Sequence, residues 1–185
     1  MQSKEPLYRL KEIANILRSD GGCPWDREQT FSSLKQYLIE EAYEVYDAID
    51  SGDMENLREE LGDLLYQVYA HSRIAEETGA FSIDDVANGI SDKLIRRHPH
   101  VFGNEEITDS KGVKIRWENI KKSEKAKRES ILDGVPRHLP ALTRAFRIQE
   151  KVSHVGFDWE RIDDAVVKLD EEVHEFKTAV SHESK

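Results

Sequence analysis

Apolar residues recur at three- and four-residue intervals along nearly the whole chain, whereas strand-like alternation and β-branched runs are scarce. That period favours an all-α fold. Leu7, Leu10, Ile13 and Leu17 mark a first helix, ended by Asp20-Gly21-Gly22 and the turn-forming Cys23-Pro24-Trp25-Asp26. Asp26 with Gln29 is the expected cap of the segment leading into a helix over residues 38–49. Ser51-Gly52-Asp53 breaks that helix, and Leu57, Leu61, Leu64, Leu65 and Val68 carry the next one as far as Glu77. Ser82 followed by Asp85 is a capping box for a helix through Val86 and Leu94 that Pro99 stops. Residues 103–112 are polar and read as loop, and residues 115–127 as a charged helix holding Trp117. Asp133-Gly134-Val135-Pro136 and Pro140 read as a linker before two more helices, over 142–152 and 162–180.

Two internal repeats lie on this pattern. "LIEEAYEV" (38–45) aligns with "LREELGDL" (57–64) at a shift of 19, superposing Glu40 on Glu59, Glu41 on Glu60 and Glu44 on Asp63. It also aligns with "LDEEVHEF" (169–176) at a shift of 131, which repeats the three glutamates as Glu171, Glu172 and Glu175. Repetition on that scale suggests two related units, the second of which reaches Lys185 without an "ELGD" counterpart.

On a wheel at about 100° per residue, Leu38, Ala42, Val45 and Ile49 form one apolar stripe with Glu41 and Glu44 on its flank. Leu57, Leu61, Leu64 and Val68 form the equivalent stripe with Glu60 and Asp63 on the matching flank. Taking Gly52 as the centre of the turn, Glu44 and Glu60 are each 8 residues away, and Glu41 and Asp63 each 11 away. An antiparallel hairpin therefore brings two i,i+3 carboxylate pairs to one level. Unpaired, such charges raise one another's pKa values; a hard divalent cation with all-oxygen ligation, Mg²⁺ or alternatively Mn²⁺, removes the conflict. A single ExxE is ordinarily a wet helix face, and it is the register across the turn that sets these apart. Glu40 and Glu59 point further from the stripe, towards solvent or the edge of the site.

Composition narrows the setting. The 185 residues are 38% hydrophobic and 35% charged with a formal charge of −10, which fits a soluble globular protein and argues against general nucleic-acid binding or a membrane partner. One cysteine, Cys23, excludes an internal disulfide, and the N-terminal residues lack a signal-like apolar run, so the expected location is cytoplasmic. Any anionic ligand then needs a metal or a local basic cluster. Lys93, Arg96 and Arg97 supply such a cluster within one helical turn. They either complement a helix C-terminus or clamp phosphate.

The pattern Glu40-Glu41-x-x-Glu44, then Glu60-x-x-Asp63 after 15 intervening residues, resembles the EExxE…ExxD signature of the MazG-like, all-α nucleoside triphosphate pyrophosphohydrolases. "GCPWDREQTF", "ELGDLLYQV", "SDKLIRRHPHVF" and "LPALTRAFRIQEKVSHVGFDW" extend the resemblance over nearly the whole chain. It implies a helical bundle built around the carboxylate-bearing hairpin. The expected protein is a homodimer or higher homo-oligomer, cleaving NTPs to NMP and pyrophosphate with Mg²⁺ and so removing excess or non-canonical nucleotides. By the family pattern Glu41, Glu44, Glu60 and Asp63 are the metal ligands, and the "DKLxRR" element lies by the nucleotide. The "RWExIK" element, with Trp117 and Lys121 at i,i+4, is similar to a substrate-contacting segment; a core tryptophan beside an exposed lysine is the structural alternative. The expected organisation is a MazG-like domain over 1–133 and, over 134–185, a linker with the first part of a second repeat.

The expected mechanism has the triphosphate arriving as a metal complex and a water attacking the α phosphorus, with Glu41 or Glu44 as base and Lys93, Arg96 and Arg97 holding the pyrophosphate. Narrower dUTPase-like or phosphoribosyl-ATP-type enzymes are the catalytic alternatives. A non-catalytic helical module binding nucleotide or protein, with a degenerate second repeat, is the other. Trp25 either lines a base pocket or pins its loop to the core. His98 and His100 form an HxH pair without further metal partners, Cys23 has no recognisable base, and the chain contains no P-loop sequence.

Overall fold

The structure, a computed structural model, describes residues 5–104, 109–110, 112–113, 116–117, 120 and 130–183. Among these residues every regular element is helical. The chain forms two compact units, Met1–Trp117 and Glu118–Lys185. The linker-like stretch beginning at Asp133 falls inside the second.

The first unit is ordered around a long hairpin. Helix α1 (Pro6–Leu17) opens with proline at its first turn, and α2 (Pro24–Glu28) is a single turn. Helices α3 (Phe31–Ser51) and α4 (Met54–Glu77) form the hairpin, followed by α5 (Ile83–Arg97) and the short α6 (Pro99–Phe102). Pro99 therefore ends α5 and also starts a further turn, since its fixed φ suits the first position of a helix. Described residues between 110 and 120 are helical, so the polar stretch expected as loop becomes helix by Ser110.

Local signals set the hairpin. Thr30 caps α3, accepting from the Ser33 amide at 3.1 Å while the Ser33 hydroxyl accepts from the Thr30 amide at 2.9 Å. This capping box replaces the expected Asp26–Gln29 cap; Asp26 lies inside α2 instead. At the turn, Gly52 adopts φ 72°, a left-handed conformation cheap only for glycine. Asp53 then caps α4, its carboxylate accepting from the Glu55 and Asn56 amides at 3.0 and 3.1 Å. The Ser82–Asp85 capping box on α5 forms as the spacing predicts.

Helix α4 packs against α3, α1 and α5. The core is small: Leu34, Ala70 and Ile74 are buried with Tyr66 packed against them, and Ala14, Ala48, Tyr69 and Ala75 are buried elsewhere. These positions rotate the seam away from the expected stripe. Along α3 the inward residues are Leu34, Leu38, Glu41, Val45 and Ala48, whereas Ala42 is exposed and Ile49 is 58% exposed. Along α4 they are Leu57, Glu60, Leu64, Gln67 and Ile74, whereas Leu61 is 49% exposed. A helix presents a face through i, i+3, i+4 and i+7, and both sets obey that rule with a carboxylate inside the face. Glu41 and Glu60 thus lie on the seam itself rather than on its flank.

Arg18 ties the turn after α1 to this frame. Its guanidinium donates to both carboxylate oxygens of Glu77, at 2.9 and 2.8 Å, and to the carbonyl oxygens of Asp26 and Gln29. The Tyr66 hydroxyl donates to Asp26 at 3.1 Å; burial and the nearby Asp26 carboxylate push its pKa up to about 12. Gly22 completes the turn, because a Cβ there would collide with the carbonyl oxygens of Ile16 and Leu17.

In the second unit, Ala141–Ser153 forms α7 and Ile162–Glu183 forms α8. Lys151 donates to the carbonyl oxygens of Ile131 at 3.0 Å and Asp133 at 3.3 Å, holding the preceding turns against α7.

Candidate active site

Three carboxylates meet on the hairpin. Glu41 of α3 and Glu60 and Asp63 of α4 each offer an oxygen within 4.8 Å of the others. Glu41 and Glu60 are half-buried and Asp63 is exposed, so the cluster opens to solvent on one side. Glu44 lies outside this three-oxygen group, yet remains coupled to it. The Glu41 carboxyl is held above its ordinary pKa first by burial, then by the charges of Asp63 and Glu44, a side-chain hydrogen bond with Glu44, and Glu60. Glu60 is also raised, by desolvation first, then by the charges of Glu44, Asp63 and Glu59. The leading charge on Glu41 is thus Asp63 and on Glu60 is Glu44, the pairings that equal distance from Gly52 requires.

The fourth carboxylate is offset by the rotation of the seam. With Glu41 on the inward line of α3, Glu44 one turn on points partly away, and it is exposed. Glu40 and Glu59 are exposed as well.

Helix α5 carries the basic residues. Lys93 and Arg96 are exposed, Arg97 is half-buried, and the guanidinium carbon of Arg97 lies 5.6 Å from the centre of the Trp117 ring. Within the first unit, the predicted phosphate clamp and the predicted nucleoside platform are therefore in contact, a cation–π arrangement. Lys121 lies outside the described residues. The His98 ring makes a 2.7 Å hydrogen bond with the Leu94 carbonyl oxygen at the end of α5, and its ring centre is 5.6 Å from that of His100. Trp25 packs edge-on against Tyr37 at 5.9 Å and is 52% exposed.

The sequence pattern left two seam residues unremarked. Gln67 is buried, and His71 stacks on Phe31 at 5.9 Å with its pKa lowered by burial. Both continue the line of Glu60 and Asp63 along α4. The signal was present as polar residues at helical spacing, 60, 63, 67 and 71, running into an otherwise apolar stripe.

The chain as a whole is similar to known proteins. The chain is 51% identical over 181 residues to the nucleoside triphosphate pyrophosphohydrolase/pyrophosphatase MazG of Thermotoga maritima, covering 95% of this chain and 69% of that protein. The chain belongs to the MazG family. Residues 29–102 match the MazG nucleotide pyrophosphohydrolase domain, which includes α3, α4, α5 and all the candidate carboxylates. A nucleoside triphosphate pyrophosphohydrolase of Escherichia coli K12 is 48% identical over 172 residues, 91% of this chain. The chain spans 65% of that relative's length. Among solved structures, a MazG-related protein from Thermotoga maritima superposes with a TM-score of 0.53 at 29% identity, covering 62% of this chain and 98% of its own. The fold is accordingly the all-α NTP pyrophosphatase bundle that the sequence led us to expect.

Proposed function

We propose that this chain carries a Mg²⁺-dependent nucleoside triphosphate pyrophosphohydrolase that converts NTP and water to NMP and pyrophosphate. The observation that carries the reading is the convergence of Glu41, Glu60 and Asp63 to within 4.8 Å. All-oxygen donors at that spacing fit a hard cation, and Glu41 and Glu60 are raised first by desolvation and then by their neighbours' negative charges, a repulsion that a cation would relieve. Glu41, Glu60 and Asp63, with Glu44 beside them, would hold Mg²⁺, with Mn²⁺ as the alternative. When bound, the cation supplies neutralisation of the polyphosphate charge and polarisation of its phosphoryl oxygens.

The remaining steps belong to the chain's own groups. Glu41 or Glu44 takes a proton from a water aimed at the α phosphorus. The bond from that phosphorus to the α-β bridging oxygen breaks, and pyrophosphate leaves against Lys93, Arg96 and Arg97. Trp117 offers a ring face to the base or ribose, next to Arg97, and Lys121 is assigned to phosphate. Glu40 and Glu59 stand at the edge of the cluster without a direct role.

The catalytic unit in this reading is residues 1–133, and residues 134–185 are a linker and the first part of a second repeat. A homodimer or higher homo-oligomer is supported by the apolar surface of the hairpin: Ile39, Tyr43, Tyr46 and Leu61 are all exposed. No described helix is long and apolar enough to cross a membrane. The single cysteine fits a reducing compartment, and this reading places the enzyme in the cytoplasm, acting on excess or non-canonical nucleotides.

The test is product analysis with a panel of canonical and altered NTPs, with and without Mg²⁺. Metal-dependent release of NMP and pyrophosphate is expected. NDP with phosphate would overturn the reading, and a folded oligomer that binds Mg²⁺ but turns over no NTP would favour a binding module.

A further inference from the structure

Helix α8 carries a line of apolar residues left uncovered among the described residues. Ile162, Val166, Leu169, Val173, Phe176 and Val180 recur at alternating steps of four and three, the 3.5-residue period of a coiled-coil seam. All six are exposed, from 42% at Val173 to 78% at Ile162, and no residue from 162 to 181 is buried. A helix of 22 residues without a packed face is marginal in water, so the line calls for a cover. It is not the α3 seam repeated. At the shift of 131, the inward residues of α3 (Leu34, Leu38, Glu41, Val45 and Ala48) become Ala165, Leu169, Glu172, Phe176 and Ala179, which keeps only two large apolar side chains. The apolar weight has moved to Val166, Val173 and Val180, where α3 carries the exposed Lys35, Ala42 and Ile49.

We propose that α8 is a self-association surface, pairing with α8 of a second copy of this chain as a parallel two-stranded coiled coil. The seam has two rows. Val166, Val173 and Val180 fill one, and Ile162, Leu169 and Phe176 the other; β-branched residues throughout the first row with leucine in the second favour a parallel pair. Charge selects the same direction. In a parallel pair Glu172, beside the valine row, faces Lys177 of the second copy, and the other positions beside that row are Ala165 and Ala179, so no like charges meet across the seam. An antiparallel pair would instead set Asp170 against Asp170 and Glu172 against Glu172 at its middle. Lys168 already engages Glu171 and Glu172 at 2.8 and 3.1 Å, which offsets acidic charge that two copies would bring together. This surface is separate from that of the hairpin, and the inference rests neither on the metal site nor on the nucleotide.

The experiment is disulfide trapping in the full chain on a C23S background, by mild oxidation with oxidised glutathione and non-reducing electrophoresis. V166C and V180C probe the two ends of the valine row, about 21 Å apart along the helix, so only a parallel pair brings each within bridging distance of its own counterpart. T178C, exposed on the opposite side of α8, measures random collision. V166C and V180C should each yield covalent dimer at least about tenfold faster than T178C, and adding V173E to V180C should return it to the T178C rate. Every α8 side chain altered is exposed, so none of these changes disturbs a core. Rates equal to that of T178C at both ends would overturn the proposal and give the apolar line to another cover, such as a helix equivalent to α4. Bridging that requires V166C to be mixed with F176C would overturn the parallel direction, and bridging of V180C unchanged by V173E would show that the apolar line does not hold the pair. A chain that sediments as a dimer yet bridges no faster than T178C would keep the hairpin interface and overturn this one.

Discussion

Replacing Glu41 by Gln should change the protein's stability in opposite directions with and without a divalent cation. Glu41 is half-buried with its pKa raised, and oxygens of Glu60 and Asp63 lie within 4.8 Å of its own. Two unit charges at that distance repel by roughly 1 kcal/mol under water-like screening and roughly 3–4 kcal/mol at an effective dielectric of 20. Because Asp63 is exposed and Glu41 only half-buried, the lower figure applies. In EDTA, Glu41→Gln should therefore stabilise the fold by about 1 kcal/mol, or about 2–4 °C in melting temperature for a chain of this size. With Mg²⁺ the order reverses. A ligand at a hundredfold excess over its dissociation constant stabilises the native state by about 2.7 kcal/mol, and the variant should forfeit most of that gain. The assay is a thermal melt of both proteins in EDTA and in a Mg²⁺ series. A variant less stable than wild type in EDTA, or one that keeps the full Mg²⁺ shift, would refute the electrostatic account of the cluster.

Four further outcomes follow from the same structure. Glu41→Gln and Asp63→Asn should each lower turnover by roughly 10²–10⁴-fold, whereas Glu40→Gln should keep activity within several-fold; an equally inactive Glu40→Gln would show that the face assignment is wrong. Leu34→Ala, at a core position only 4% exposed, should cost about 2–5 kcal/mol in urea unfolding, and a loss under 1 kcal/mol would argue that Leu34 is not central to the core. Arg18→Ala should cost about 1.5–3 kcal/mol through its charged hydrogen bonds to Glu77, with Glu77→Gln giving a smaller loss of the same sign. His71 has a folded pKa below its ordinary 6.5 because of burial, so the stability it contributes is present above pH 6.5 and declines as pH falls through the folded value. His71→Asn should flatten that part of the unfolding profile, and an unchanged acid slope would assign it to other groups.

Much of this could be read from the sequence, for identifiable reasons. The hairpin was legible because Gly52 and Asp53 combine a left-handed turn residue with a cap, and because α3 and α4 are long enough for their periods to be unambiguous. The levels of Glu41, Glu44, Glu60 and Asp63 were legible because they depend only on counting from the turn. Their rotation about the helix axes was not. The wheel chose the stripe richest in aliphatic residues, Leu38, Ala42, Val45 and Ile49, whereas the seam instead takes Ala48 and admits Glu41. A carboxylate inside the seam defies the rule that charge stays outside, and sequence periodicity penalises it; functional sites are where such local rules are expected to fail. The exposed Ile49 and Leu61 misled the wheel in the same way, as their apolar character answers to a surface of the hairpin other than the α3–α4 contact. The Thr30 cap escaped notice because Ser33 stands where a capping box more often has Glu or Gln. The buried Gln67 was hidden among the apolar neighbours Leu64, Leu65 and Val68, where a single amide leaves periodicity unchanged.

The central claim is that the carboxylates of α3 and α4 direct water to the α phosphorus of a nucleoside triphosphate. Hydrolysis in ¹⁸O-labelled water, followed by mass spectrometry of both products, tests it most directly. The account predicts one ¹⁸O in the phosphate of the NMP and none in the pyrophosphate, with the labelled product lost in Asp63→Asn. Label in the pyrophosphate would place the attack on the β phosphorus, and label in free phosphate would place it on the γ phosphorus; either result would contradict it.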